Sequence, residues 1–299
     1  MKFPLVSLVM PTMNSAEYIG ETLYSLVDQL YRPFELIVID GGSTDRTLEI
    51  VDCFNQGDIR VIQLAPNLGI AKALNAGIAA AKGSFIARID ADDLMYKWRL
   101  NDQVYHFLAN PNVEMVGTGV DSFGDHEGVF RSPVTHRDIR NEFLVNNPFF
   151  HPTVMFRRSI VDRGLLHYNE AHFFEEDYEL WGRLIPQITC ANLDQSSIRY
   201  RIRGNSTQWD PRKFRFKRQA LLGFCQHVGL NDDALIDALA EFQCGSFIRH
   251  DQYLVLREYA VSSEGTTMPR LGWLHEALVR ERRYADFNSW FRSAKGWPA

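Results

Sequence analysis

Ala87-Arg88-Ile89-Asp90-Ala91-Asp92-Asp93 closes an apolar run that opens at Ser84, and it sets three carboxylates within four residues. The segment is short, is preceded by Lys82-Gly83 and ends in acids, which are the marks of a buried strand in a parallel sheet. In open α/β sheets the crevice at the carboxyl ends of the strands is where ligands bind. Carboxylates crowded there raise one another's proton affinity unless a cation sits among them, and oxygen donors suit Mg²⁺ or Mn²⁺. Mg²⁺ typically takes one or two carboxylates together with substrate phosphates, so the stretch points to a metal-bound phosphate ester. The competing reading is a solvated acidic turn, with Asp92 or Asp93 capping a helix that starts near Tyr96.

Upstream, strand and helix patterns alternate. Residues 5–10 are strand-like and stop at Pro11-Thr12-Met13-Asn14, where Asn14 and Glu17 have the spacing of a capping box. A helix over 16–30 follows from the spacing of Ile19, Leu23, Leu26, Val27 and Leu30. A second strand, 34–39, ends at Asp40-Gly41-Gly42-Ser43-Thr44-Asp45, and a helix (46–54), a strand (59–64) and an alanine-rich helix (70–81) lead into the opening stretch. This order with short links implies a parallel sheet with right-handed crossovers. No GxxxxGK[ST] or GxGxxG accompanies the Gly41-Gly42 pair, which disfavours an ATPase or a dinucleotide-binding enzyme. Asp40 either hydrogen-bonds a nucleoside or caps its own loop. Lys72 either reaches a diphosphate or is a solvated helix lysine. Arg88, two residues before Asp90, shares its strand face and either braces that acid or touches phosphate.

Downstream the alternation weakens. A helix is expected over 97–108, a strand over 113–116, an insertion or hairpin over 118–133, a helix over 137–145 and a strand over 154–156. His151, with prolines nearby, either touches substrate or is a packed or hydrogen-bonded structural residue, the commoner fate of such a histidine. Glu175-Glu176-Asp177 opens a helix whose apolar face is Leu180, Trp181 and Leu184. Acids at a helix start are favoured by its dipole, and one of them beside a metal-bound leaving group has the chemistry of a general base.

At 299 residues, 45% hydrophobic and 23% charged, the chain is an ordinary globular one. Its net charge of -5 gives no basic field for nucleic acid. Four cysteines without CxxC spacing fit a reducing cytoplasm better than a disulfide framework or a zinc site. There is no signal-type apolar region near Met1 and no apolar run approaching the ~20 residues of a membrane span.

Taken in order, residues 6–14, 34–40, Ser43-Thr44-Asp45, Asn67-Leu68-Gly69, Ala73-Leu74-Asn75, residues 87–93, Arg99-Leu100, His151-Pro152 and residues 176–181 closely resemble glycosyltransferase family 2, over about residues 5–203. The resemblance implies a GT-A fold: α/β, with a Rossmann-like, mostly parallel sheet flanked by helices. It also implies a nucleotide-diphosphate sugar donor, Mg²⁺ or Mn²⁺ at a DxD motif, and inversion at the anomeric carbon. Carried over, Asp40 matches the nucleoside-contacting loop, Asp90 and Asp92 the metal-binding DxD, and Asp177 the catalytic base. Pro11, Lys72 and Ala91 join Asp40 and Asp90 as nucleotide-sugar-binding residues. Two positions depart from the family pattern, Gly41 for a second acid and Met13 for a tyrosine, and both bear on the donor base. The QxxRW signature of processive synthases is absent, which favours transfer of one sugar per encounter.

On this reading residues 1–203 form the catalytic domain and 204–299 a mostly helical C-terminal extension. The acceptor is a glycan or a lipid-linked sugar in cell-surface polysaccharide synthesis, and oligomerisation is left open. Arg212-Lys213-Phe214-Arg215-Phe216-Lys217-Arg218 interleaves basic and aromatic residues, the pattern either of a peripheral contact with the inner membrane face or of a solvated helix. The rival functions are a glycoside hydrolase, which also uses paired carboxylates, and a non-catalytic nucleotide-sugar or glycan-binding module.

Overall fold

Side chains along the first strand alternate between two cores. Val9 faces one apolar cluster, and Val6, Leu8 and Met10 face the other. The second strand does the same, with Ile37 and Ile39 on one side and Leu36 and Val38 on the other. Strands buried on both faces read as continuous apolar runs, which is why these segments were recognisable. The structure is a computed structural model that describes residues 3–55, 57, 59–144, 146–172, 174–203, 212–229 and 232–243.

Its elements run β1 (Val6–Thr12), α1 (Ile19–Val27), β2 (Phe34–Asp40), α2 (Thr47–Phe54), β3 (Ile59–Gln63), α3 (Ile70–Ala80), β4 (Phe85–Arg88), β5 (Leu94–Met95) and α4 (Arg99–Ala109). They continue with β6 (Val113–Gly124), β7 (Gly128–Phe130), α5 (His136–Phe143), a 3-10 turn (His151–Thr153), β8 (Met155–Arg157), α6 (Arg158–Asp162), α7 (Glu176–Leu184), β9 (Thr189–Ile202), α8 (Arg212–His227) and α9 (Asp233–Gln243). One sheet carries the strands in the order β3-β2-β1-β4-β8-β6-β9-β5, with β7 paired to β6. The β3-β2-β1-β4 half is parallel, as the alternation requires. Beyond β4, β8 runs antiparallel to both β4 and β6, and β6 and β9 then pair in parallel.

Several local expectations are corrected. The strand expected over 113–116 continues to Gly124, and residues 120–130 form the β6–β7 hairpin. Strand β9, 14 residues long, was not anticipated. Its sequence is half polar, and its register with β6 shifts at Thr118/Gly119 and Gly119/Val120, so no single period runs through it. The capping box does not form. Asn14 has left-handed backbone (φ 51°), and its Oδ1 accepts from the Thr44 amide at 2.8 Å, so α1 starts five residues later at Ile19.

Close approach of α3 to the sheet explains one glycine. A Cβ on Gly77 would lie against Val9 Cγ1 and 2.7 Å from Ile39 Cδ1. At the other end of the molecule α8 lies on α7 and α9 on α8. Ala220, Leu221, Phe224, Leu235 and Leu239 enter the same core as Tyr178 and Trp181. The described part of the extension is therefore continuous with the catalytic core. Residues 204–211, 230, 231 and 244–299, on which the rest of the helical expectation falls, lie outside the described residues.

Four side chains of the basic-aromatic stretch make contacts within the fold. Phe214 packs against the core, Phe216 lies 4.9 Å from the His172 ring, Lys217 Nζ is 3.5 Å from Glu175, and Arg218 bonds Asp237. Phe214, Phe216, Lys217 and Arg218 are thus engaged within the fold, while Arg215 is exposed. Among the described residues no helix is long and apolar enough to cross a bilayer. Cys53, Cys190 and Cys225 are free thiols.

Candidate functional site

The ends of β1, β2 and β4 open onto a cavity of about 360 Å³. The loop after β1 and the loop after β2 are sewn together to make its wall. The Asn14 amide donates to Ser43 Oγ at 2.8 Å, the Ala16 amide to Asp45 Oδ2 at 3.0 Å, and the Ser15 amide to Thr47 Oγ1 at 2.8 Å. Asp40, 2% exposed, receives the Gly42 amide at 3.2 Å and the Ser43 amide at 3.1 Å. Gly42 holds φ 91° and a Cβ there would meet Pro66 Cγ at 2.8 Å, so the turn admits little else. Of the two readings of Asp40, the geometry realises the loop cap: it is buried beneath the wall and does not line the cavity.

Pro11, Met13, Tyr18, Gly41, Asn67, Asp90, Ala91, Asp92 and Arg203 are among the residues that line the cavity. Lys72 is exposed on α3 and is not among them. Sequence reasoning gave no role to Tyr18 or Arg203. The available signal was Arg199, Arg201 and Arg203 at a spacing of two, which on a strand shares one face.

The three acids diverge. Asp90 accepts twice from Arg88, at 2.6 and 3.0 Å, so the arginine braces it as the shared strand face predicted. Asp92 Oδ2 lies 2.6 Å from Arg203 Nη2. Burial and the Asp90 charge raise the Asp92 pKa, while Arg203 pulls it back. Asp93 is buried and accepts the Arg201 amide at 2.8 Å on one oxygen; burial, then Asp90, holds its carboxyl well above the usual range. Among the described residues no group of three or more His, Cys, Asp or Glu could hold a metal ion alone. Asp90 and Asp92 fit Mg²⁺ or Mn²⁺ in the way such ions bind phosphate substrates, with the substrate's oxygens completing the shell.

The second acidic cluster faces the same arginine. Asp177, in the first turn of α7, accepts the Asn147 side-chain amide at 2.7 Å and its neighbour's Tyr178 amide at 2.7 Å. Glu176 is pushed up to about 7 by burial and by Asp177, with Arg88 opposing. His151 donates to or accepts from the Tyr168 hydroxyl at 2.7 Å and stands 3.8 Å from Glu176; burial and Arg88 hold it well below its ordinary value, hence neutral. Arg88 itself, 4% exposed, is kept charged against burial chiefly by Asp90.

A raised carboxyl pKa gives a signed expectation. The protonated form of Glu176 favours the fold, so its contribution is complete below about pH 4.5 and is lost as pH rises through about 7. Glu176→Gln removes that charge at every pH. Thermal denaturation should show the variant close to wild type at pH 5 and more stable at pH 8, by up to about 3 kcal/mol. A stability difference that does not change with pH would refute the buried-acid assignment.

A family model described as Glycosyl transferase family 2 matches residues 7–165, through both sewn loops and the Asp90–Asp92 stretch. The O-antigen biosynthesis glycosyltransferase WbnJ of Escherichia coli is 32% identical over 214 residues, 68% of this chain and 82% of that one. Among solved structures, S. aureus TarS 1-349 in complex with UDP-GlcNAc superposes with a TM-score of 0.64 at 22% identity, over 88% of this chain and 76% of that chain. The mannosyltransferase PcManGT from Pyrobaculum calidifontis, in complex with GDP-Man and Mn²⁺, gives 0.60 at 19% identity, over 97% and 84%. Half the chain matched by one model, a relative matched over most of its length and a shared fold exclude the hydrolase reading: this chain is a GT-A glycosyltransferase and belongs to glycosyltransferase family 2.

Proposed function

We propose that the enzyme moves one sugar from a nucleoside-diphosphate sugar to a hydroxyl of a glycan or lipid-linked acceptor, inverting the anomeric carbon, in the making of a surface polysaccharide. The observation that carries this is the meeting of both acidic clusters on the single buried Arg88: Asp90 bonds it directly, and Glu176 is within its field. Donor-side and acceptor-side chemistry thereby adjoin. The O-antigen role in the name of the E. coli relative supports the polysaccharide, and the ligands in the two structural neighbours' titles support the donor class.

In this reading Pro11, Asn67, Asp90, Ala91 and Asp92 border the donor, and Asp40 keeps the wall in shape from beneath. A bound Mg²⁺ or Mn²⁺ would offset the charge that grows on the departing diphosphate. Asp92 and Asp90 would hold it. Asp177 accepts the proton of the acceptor hydroxyl as that oxygen attacks opposite the leaving group, so one displacement inverts the centre. Asn147 and the Tyr178 amide fix the carboxylate for that work. Residues 1–203 form the catalytic unit and 204–299 an extension, of which the described helix α8 lies on α7.

A thermal-shift panel of UDP, GDP, dTDP and a CMP control, each with Mn²⁺ or EDTA, tests the donor. The expected result is a Mn²⁺-dependent rise in melting temperature of a few degrees with one diphosphate. No shift with any of them would overturn the donor reading and favour a degenerate site at Met13 and Gly41.

A further inference from the structure

Strand β9 and the residue after it carry a row of arginines, of which the last, Arg203, reaches the cavity. Arg199 lies 4.6 Å over the Phe123 ring, Arg201 is 4.4 Å over Phe123 and 4.6 Å over Tyr18, and Arg203 is 5.1 Å over Tyr18. The three are not equivalent. Arg201 is committed to the protein, with Nε donating to the Asp92 carbonyl at 2.9 Å and Nη2 to Glu21 at 2.7 Å. Arg203 lines the cavity, its side chain is 53% exposed, and its ion-pair partner is Asp92 Oδ2 at 2.6 Å. Among the described residues that line the cavity it is the one cation.

Its partner is also the carboxylate best placed to take a divalent ion, since both oxygens of Asp90 already accept from Arg88. A guanidinium and a divalent ion drawn to one carboxylate repel each other, so each weakens the other's hold on Asp92. An exposed pair of this kind is held weakly and yields to a stronger competitor. The displaced guanidinium is a planar fork that matches a phosphate as well as it matches a carboxylate. Stacking on Tyr18 limits where it can go, so it stays over the cavity.

We propose that Arg203 is a donor-binding residue that alternates between two anions: it neutralises Asp92 in the bare cavity, and it turns onto the donor diphosphate once Asp92 is given to a divalent cation. This rests on the donor reading above and adds to it a specific residue with a counter-ion role. Arg203 thus competes with the metal for Asp92 and cooperates with it for the nucleotide.

The two effects have opposite signs and are read without turnover. Isothermal titration of the full chain would measure the diphosphate that wild type binds, from UDP, GDP and dTDP, in Mn²⁺. Electron paramagnetic resonance would measure Mn²⁺ binding with no nucleotide present. Arg203→Ala and Arg203→Gln should each weaken the diphosphate at least tenfold and tighten Mn²⁺ alone at least threefold, with Arg203→Lys between them and wild type for the nucleotide. Arg203→Gln keeps length and polarity, and melting curves verify that each variant is folded. Diphosphate affinity within twofold of wild type in both neutral variants would overturn the role of Arg203 while leaving the donor site standing. Wild type that binds none of the diphosphates would instead overturn the donor reading, and this inference with it.

Discussion

Asp177→Asn should lower the turnover number by about 10²–10⁴-fold while the donor diphosphate binds within a fewfold of wild type. The size follows from the task, because an amide cannot accept the acceptor's proton. The selectivity follows from position: Asp177 lies on α7, does not line the donor cavity, and is held by Asn147 and by the Tyr178 amide. The substitution is nearly isosteric, and one amide oxygen remains to accept one of those two bonds, so a stability loss of no more than about 1–2 kcal/mol is expected. Steady-state kinetics with the identified donor, paired with titration of its diphosphate, checks both halves. Turnover within tenfold of wild type would refute the base assignment. If Glu176→Gln then carried the loss, the base would move to Glu176, whose carboxyl near 7 has a proton affinity matched to neutral pH.

Arg88→Met should be the most damaging single change to the fold. Arg88 is buried, makes two bonds to Asp90, and is itself underpinned by Arg99, whose Nη2 donates to the Arg88 carbonyl at 2.6 Å. Methionine fills comparable volume without charge, leaving Asp90 with Asp92 and Asp93, and Glu176 with Asp177, short of their shared counter-charge. Removing one partner of a buried ion pair costs about 3–5 kcal/mol, which for a chain of this size lowers the melting temperature by about 6–20 °C. Arg88→Lys should recover part of it, since one ammonium cannot make both bonds. The proton affinities of Glu176 and His151 should both rise, because Arg88 holds each of them down. A melting temperature within about 2 °C of wild type would show that the acids are neutralised some other way.

The fold was legible where each strand is apolar on both faces and each link is short. Residues 5–93 met that condition, and their alternation gave the parallel half of the sheet. It was illegible where pairing depends on distant partners. Within Thr189–Ile202 only the alternation of Ile198, Arg199, Tyr200, Arg201 and Ile202 announces a strand; the first half is one through its pairing with β6, in a register that slips twice near Gly119. The Asn14–Glu17 spacing was a sound local signal that lost to long-range bonds, since Asn14 is worth more to the wall joining it to Thr44 than to a helix start. The site divides in the same way. Asp90, Asp92 and Asp177 stood out as acids at element ends. Tyr18 and Arg203 did not, because only the closed sheet brings them to one cavity. Asp40 carries a recognisable motif but spends its carboxylate on its own turn.

The strand order also sets a schedule. The first-made strands, β1, β2 and β3, pair directly with one another at one end of the sheet, and β4 joins them on the far side of β1. Strand β9, the last strand among the described residues, is inserted between β6 and β5, some seventy residues after β6 in the chain. Closing loops of that length before any contact rewards them is slow, and it leaves the edge of β6 unpaired in the meantime. During synthesis on the ribosome Asp92 emerges long before Arg203, so the nascent chain carries that acid without the counter-charge it has in the finished fold. A chain cut between α7 and β9 would hold the pocket's acids without Arg203, its last wall.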